Sequence, residues 1–369
     1  MYKRQTTDSE NLEASDRLLI QVIEEAHKRG MKIVMDAVFN HTGREFFAFE
    51  DIMEKGEKSK YLDWYYIDEL PLKGEWGEIP NFLCFGYYGG MPKLNLKNPE
   101  VANYITDVAC YWIRECDIDG WRLDVGDEIS HFFWKNFRKA VKAVKKDMLI
   151  IGEIWHYAGD FLEGDEWDTV MNYPFYLNLI DLLADEKITV SQFVQNLGYL
   201  KGRLHKNCYP LMWNLIDSHD TARFLHLCND NKKKQHLAAA FQLLLPGMPM
   251  IYYGDEYAMP GANDPDCRRG MYWDEEYQDK EMYEWYKRLI QVRKSHACIV
   301  EGELAGSVTE DEEGTIVLIR KNGEETIAMI FNCSSSAKKF NEYTQKYNLL
   351  TENTFDGNVE GFDAAVIVL

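Results

Sequence analysis

The chain has 369 residues, 46% of them hydrophobic, enough for one large domain and a small one beside it. Its 61 acidic against 41 basic residues leave a formal charge of −20, which repels phosphate backbones and anionic membranes and so excludes nucleic acid as an expected partner. No apolar run reaches the length of a membrane span. The aromatic share is 14%, with 10 Trp and 22 Tyr, which suits either a packed core or flat faces for sugar rings.

Residues 1–5 read MYKRQ, which matches the translated end of a transposase adapter used to prepare sequencing libraries, and they are set aside as an artefact. In residues 16–29, Leu18, Leu19, Val22, Ile23 and Ala26 recur at helical spacing; Gly30 ends the helix and KIVMDAVF follows as a buried strand. About sixty residues rich in Trp, Tyr, Gly and Pro then form an excursion, about 42–98, expected as a small inserted domain. Val101, Tyr104, Ile105, Val108, Ala109, Trp112 and Ile113 form a second helical stripe, followed by the strand GWRLDV. HFFWKNFRKAVKAVKK is helical and MLIIGEIW a strand; DTVMNYPF, LMWNLIDSHD and MPMIYYGDE read as three more strands with helices between them. From about residue 298, alternating stretches (TIVLIRK, TIAMIFN and AAVIVL) with turn residues between them suggest a C-terminal β-sandwich.

Helices alternating with short apolar strands imply parallel βα units. Six strands are expected, near residues 32, 120, 149, 169, 211 and 249, where a closed (β/α)8 barrel has eight. Asp36, Asp124, Glu153 and Asp220 fall at strand C-terminal ends, the face that carries the site in such barrels. The expected fold is therefore an α/β TIM barrel over 6–297 lacking its first strands, with a doubly wound open sheet as the alternative. The eight cysteines form no CxxC pair and no zinc-ligand spacing with His, which fits reduced thiols and a cytoplasmic setting.

Cleaving a glycosidic bond with retention needs two carboxyl groups about 5–5.5 Å apart, one a nucleophile and the other an acid and then a base. Arg122 precedes Asp124 by two residues, on the same face of a strand, where it would hold the carboxylate ionised. Glu153 follows the apolar run MLIIG, and burial there would keep its proton on. A lone RLD or GEI is more often an ordinary salt bridge at a strand end. The segments DAVFNH (36–41), GWRLDVGDE (120–128), GEIWH (152–156) and IDSHD (216–220), however, resemble in order the four signature segments of the α-amylase superfamily.

That resemblance implies Asp124 as nucleophile, Glu153 as acid/base and Asp220 as the third acid, which holds the hydroxyls of the reacting sugar. It implies that His41, Arg122 and His219 line the same ring, and that Asp36 and Asn40 are mainly structural, the asparagine belonging to a calcium site in many relatives. MPKLN (91–95), Trp155 within GEIWH, SHDTARFL and YYGDEYAMPGANDPDCRRGMYWD (252–274) are similar to the neopullulanase, cyclomaltodextrinase and maltogenic amylase group. There Glu128 matches a position on the acceptor side and Trp155 a substrate contact, but GDE stands where that group often has ANE.

The expected substrates are therefore α-1,4-glucans: cyclodextrins, pullulan or maltodextrins, with some transglycosylation. No cofactor is needed for the chemistry; calcium would belong to a longer parent, as would an N-terminal β-domain that mediates homodimers, of which this chain reads as a fragment. An oligo-1,6-glucosidase, a trehalose-forming enzyme or another transglycosylating relative is the runner-up, and MPKLN disfavours the 1,6-glucosidases among them. A non-catalytic transporter subunit is the remote third, against which all three acids count, and a pure binding module would need none of them.

Overall fold

The computed structural model describes residues 9–74, 77–205 and 207–369; the adapter-like residues 1–5 lie outside them. Contacts divide the chain into two compact units, Met1–Ile154 with Asp160–Val170, and Trp155–Gly159 with Met171–Leu369.

In the first unit, α1 (Ser9–Lys28) leads into β1 (Val34–Ala37), and α2 (Phe47–Lys55) opens the excursion. Then come α3 (Pro99–Cys116), β2 (Gly120–Leu123), α4 (His131–Val144), β3 (Leu149–Gly152) and β4 (Thr169–Val170). The four strands pair in parallel in the order β1-β2-β3-β4. The β2 segment GWRL is buried along its whole length, as a strand covered on both faces must be.

Local chemistry sets the helix ends. Asn98 accepts the Glu100 N–H, Pro99 takes the first turn of α3 where no amide partner is needed, and Asp117 closes the helix in the left-handed region. The expected α3 stripe buries Val101, Ile105, Ala109 and Ile113, while Tyr104, Val108 and Trp112 are only half-buried. In α1 the stripe is narrower than its spacing suggests: Ile23 and Ala26 are buried, but Leu18 and Val22 are exposed. Among its described residues the excursion has one α-helix; isolated bridges pair His41 with Lys93, Tyr65 with Leu94, Ile67 with Phe82 and Cys84 with Pro92. Edge-on ring contacts of Phe49 with Tyr65 and Phe82 fill it.

The second unit holds α5 (Tyr173–Leu179), a π-helical turn at Ile180–Ala184, α6 (Val190–Arg203), β5 (Trp213–Leu215), α7 (Phe224–Leu227), α8 (Lys232–Leu244) and β6 (Met248–Met250). It continues with α9 (Lys280–Ser295) and α10 (Ala297–Glu301). β5 and β6 pair in parallel, and Met171 bridges to Trp213 in parallel beside them. All six expected parallel strands are thus present.

The C-terminal part comprises β7 (Glu303–Glu310), β8 (Thr315–Asn322), β9 (Glu325–Asn332), β10 (Lys338–Lys339), β11 (Tyr347–Asn348), β12 (Asn353–Thr354), β13 (Asn358–Val359) and β14 (Asp363–Val368). Its main sheet runs β12-β11-β14-β9-β8-β7, and β10 pairs with β13. Ile327, Met329 and Phe331 face the core shared with α8 and α9, where Phe241 stacks on Phe331 at 4.3 Å. Ala328 and Ile330 face a second core with Phe340, Phe355 and Val359. Both faces of β9 are covered, so its sequence is a continuous apolar run and not the one-sided alternation expected of a half-exposed strand.

Candidate active site

In the first unit three strands end side by side. Ala37 of β1 is level with Leu123 of β2, and Leu123 with Gly152 of β3. The ladder continues one step beyond: Asp124 N–H donates to Ala37 O (3.1 Å) and Glu153 N–H to Leu123 O (3.0 Å). The two acids therefore leave neighbouring strands at the same height.

Arg122 joins them. It is the register partner of Asp36, and its Nη1 lies 2.6 Å from Asp36 Oδ1 and 2.9 Å from Asp124 Oδ1. Nη2 lies 2.7 Å from Glu153 Oε1, an ion pair by distance without an aligned N–H. Burial works against the guanidinium's charge, but Asp36, Glu153 and Asp124 outweigh it and raise its pKa above the ordinary arginine range. Glu153 is only 4% exposed. Its carboxyl is held by that ion pair and by the Val125 N–H, which donates to Oε2 at 3.1 Å. Val125 is β-branched and in the left-handed region at φ 48°, a conformation that costs roughly 1–3 kcal/mol. That turn aims its N–H at Glu153.

His41 is buried, its ring stacked on Phe85 at 5.3 Å, and its Nδ1 has no partner among the described residues. Burial lowers its pKa, with Asp124 and Glu128 pulling the other way and Lys93 adding to the lowering, so the ring is held towards its neutral form. Beside it, Lys93 Nζ donates to Asn40 Oδ1 (2.5 Å) and to Glu128 Oε2 (2.8 Å), and Asn40 Nδ2 donates to Glu128 Oε2 (3.1 Å). The oxygens of Asn40 and Glu128 already face an ammonium, so in this arrangement the residues do not fit a calcium ion. Lys93 lies within MPKLN, but its pairing with both residues was not legible there.

The remaining expected residues belong to the second unit. Asp220 follows β5; its Oδ2 lies 3.1 Å from His219 Nε2 and its Oδ1 2.9 Å from Arg268 Nη2. Arg268 also pairs with Asp264 at 2.7 Å. Its contact with Asp220 spans 48 residues and no local signal announced it. Trp155 stacks on Tyr173 with ring centroids 4.1 Å apart.

The glycines around the first-unit acids have a packing reason. A Cβ on Gly126 would meet Trp167 at 2.8 Å, and one on Gly152 would meet it at 2.2 Å. Trp167 thus occupies the space that an alanine in an ANE-type segment would need.

Alternating βα units, acids at the strand ends and this Arg122 cluster define an α/β protein whose candidate site is built from carboxyl groups. The alpha-amylase catalytic-domain family matches residues 15–302, and the chain belongs to that family, with its TIM-barrel catalytic fold and C-terminal β-sandwich. It is 45% identical over 316 residues to a cyclomaltodextrinase of Geobacillus thermopakistaniensis, covering 86% of this chain and 53% of that protein. It is 42% identical to neopullulanase 2 of Thermoactinomyces vulgaris, covering 85% and 53%. Among solved structures, a cyclomaltodextrinase superposes with a TM-score of 0.90 at 36% identity, covering 95% of this chain and 63% of that one. A cyclic α-maltosyl-(1→6)-maltose hydrolase from Arthrobacter globiformis gives a TM-score of 0.86 at 32% identity, covering 96% and 79%. The chain spans about half the length of the curated relatives it matches.

Proposed function

We propose that the chain is the catalytic part of a retaining glycosidase that cleaves α-1,4-glucosidic bonds in cyclodextrins, pullulan or maltodextrins. The supporting observation is that one guanidinium, Arg122, holds both Asp124 and Glu153 at neighbouring strand ends. Asp124, oriented by Arg122, attacks the anomeric carbon; Glu153 protonates the departing oxygen, giving a glycosyl ester on Asp124. Glu153, now a carboxylate, takes a proton from water, which attacks the anomeric carbon and frees Asp124. The contacts that Arg122 and Val125 make to Glu153 suit this second, basic stage. Asp220, held by Arg268 and His219, binds the hydroxyls of the reacting ring; His41 as a neutral donor does likewise, and Trp155 offers a flat face to the sugar.

Glu128 serves the acceptor side, where a sugar hydroxyl in place of water would give transglycosylation. Asp36 and Asn40 hold Arg122 and Lys93 in place. No cofactor enters these steps. A homodimer and a cytoplasmic setting remain part of this reading; among the described residues no helix is long and apolar enough to cross a membrane.

Asp124→Asn tests the mechanism. Release of reducing sugar from β-cyclodextrin, pullulan and maltotriose should fall by at least about a thousandfold, with the fold retained by circular dichroism. Turnover near the parent level would overturn it, and the product pattern on the three substrates separates cyclodextrinase from 1,6-glucosidase activity.

A further inference from the structure

A cavity of about 420 Å³ lies within the second unit, between the segment that follows Glu153 and helices α5 and α6. Three large apolar side chains stay open around it: Trp155 is 41% exposed, Leu177 44% and Tyr199 67%. Single exposed apolar residues need no explanation, but three converging on one concave pocket mark a binding surface. Trp155 cannot swing away, because its other face is stacked on Tyr173.

The polar groups between them are varied and organised. Asn196 Nδ2 donates to Asn178 Oδ1 at 2.8 Å, and Asn178 Nδ2 donates to Phe193 O at 3.1 Å. That fixes both amides and leaves the carbonyl oxygen of Asn196 for a ligand. Arg203 lies over Tyr157 at 3.9 Å, the Tyr157 hydroxyl donates to Arg203 O at 2.8 Å, and the guanidinium has no carboxylate partner among the described residues. Asp181, in the π-helical turn and 3.8 Å from Lys187 Nζ, adds a carboxylate to the lining.

Flat apolar faces together with an amide, a carboxylate and a guanidinium suit a ligand with C–H faces and many hydroxyls. An anion would meet Asp181, and an apolar ligand would strand the amides. We infer that this pocket binds a maltooligosaccharide of two α-linked glucose residues, with Tyr199 and Leu177 as its rim. The substrate class rests on the glycosidase reading above, since the chain passes from Glu153 to the pocket wall in two residues. The size class agrees, because a disaccharide fills a cavity of this order.

The test is calorimetric binding of maltotetraose to the Asp124→Asn chain, which keeps the ligand intact, with and without Tyr199→Ala or Leu177→Ala. Each added substitution should weaken one class of sites by about tenfold or more. Tyr199→Ala alone should leave turnover of a chromogenic maltoside within about twofold and raise KM on long maltodextrins. Tyr199 is largely exposed, so its removal tests the pocket and not folding. Unchanged maltotetraose binding in both double variants overturns the proposal while leaving the glycosidase reading intact. Undiminished turnover by Asp124→Asn overturns the glycosidase reading, with the binding comparison still decisive for the pocket. A change in sedimentation with unaltered sugar binding would make the patch an interface between copies and overturn the proposal.

Discussion

Asp217 and Asp255 are both fully buried, and Arg223 Nη1, 3.1 Å from Asp255 Oδ1, is the cation against them. Their carboxyls face each other within hydrogen-bond reach, and each keeps one oxygen without a donor, a lack that one shared proton repairs. Burial pushes Asp255 up to about 7, and burial together with Asp255 pushes Asp217 well above the carboxylate range. The folded chain therefore retains a proton that the unfolded chain releases near 3.8. The stabilisation is complete below that value, and the Asp255 share of it is lost as pH rises through about 7, with a slope of up to about 1.4 kcal/mol per pH unit for each proton retained. In Asp217→Asn the remaining Asp255 pairs with Arg223 as a simple ion pair, so this slope should flatten. Denaturant unfolding at pH 5, 6 and 7 measures it; a slope as steep as the parent's refutes the shared proton. IDSHD announced the strand end, but Asp255 lies 38 positions further along, and only folding makes the two neighbours.

At the scale of elements, the strands and most helices were legible because their signals are local. A buried parallel strand is a short apolar run, and a surface helix repeats its apolar positions every three or four residues. The width of a buried stripe is not local, which is why Leu18 and Val22 carry the right spacing and are still exposed. The excursion was legible only as an excursion, because isolated bridges and ring contacts have no period. Trp167 is the element-scale determinant of the site, packing against Gly126 after β2 and Gly152 at the end of β3. Gly126→Ala should displace it, lower stability by about 1–3 kcal/mol and shift the near-ultraviolet circular dichroism of the tryptophans. A variant as stable as the parent would show that Trp167 yields freely.

At the scale of the whole molecule, all eight cysteines are thiols, and Cys110, Cys116, Cys228, Cys267 and Cys298 are buried. Burial pushes the Cys228 thiol up to about 12. A disulfide reagent at neutral pH should modify the half-buried Cys84 and Cys208 first; Cys333, also half-buried but with its thiol pKa raised by burial, should lag with the five, all eight reacting once the chain is unfolded, and reductant should leave Tm unchanged. A Tm lowered by reductant would reveal a disulfide. Absence of a pairing pattern in the sequence led to the same expectation, since thiols inside apolar runs behave as small hydrophobes.

The sequence by itself determined the parallel βα architecture, the six strand positions and the placing of Asp36, Asp124, Glu153 and Asp220 at strand ends, because a strand and the residue that ends it are read within ten positions. Only the tertiary structure decided which side chains meet: Arg122 with Asp36 across 86 residues, Lys93 with Asn40 and Glu128, Arg268 with Asp220, and the Trp155–Tyr199 pocket. Strand pairing brings distant positions to one height, and loop closure carries polar groups on to charges left behind much earlier in the chain. Neither leaves a period in the sequence, so the acids could be found from their neighbours along the chain, and their partners only in space.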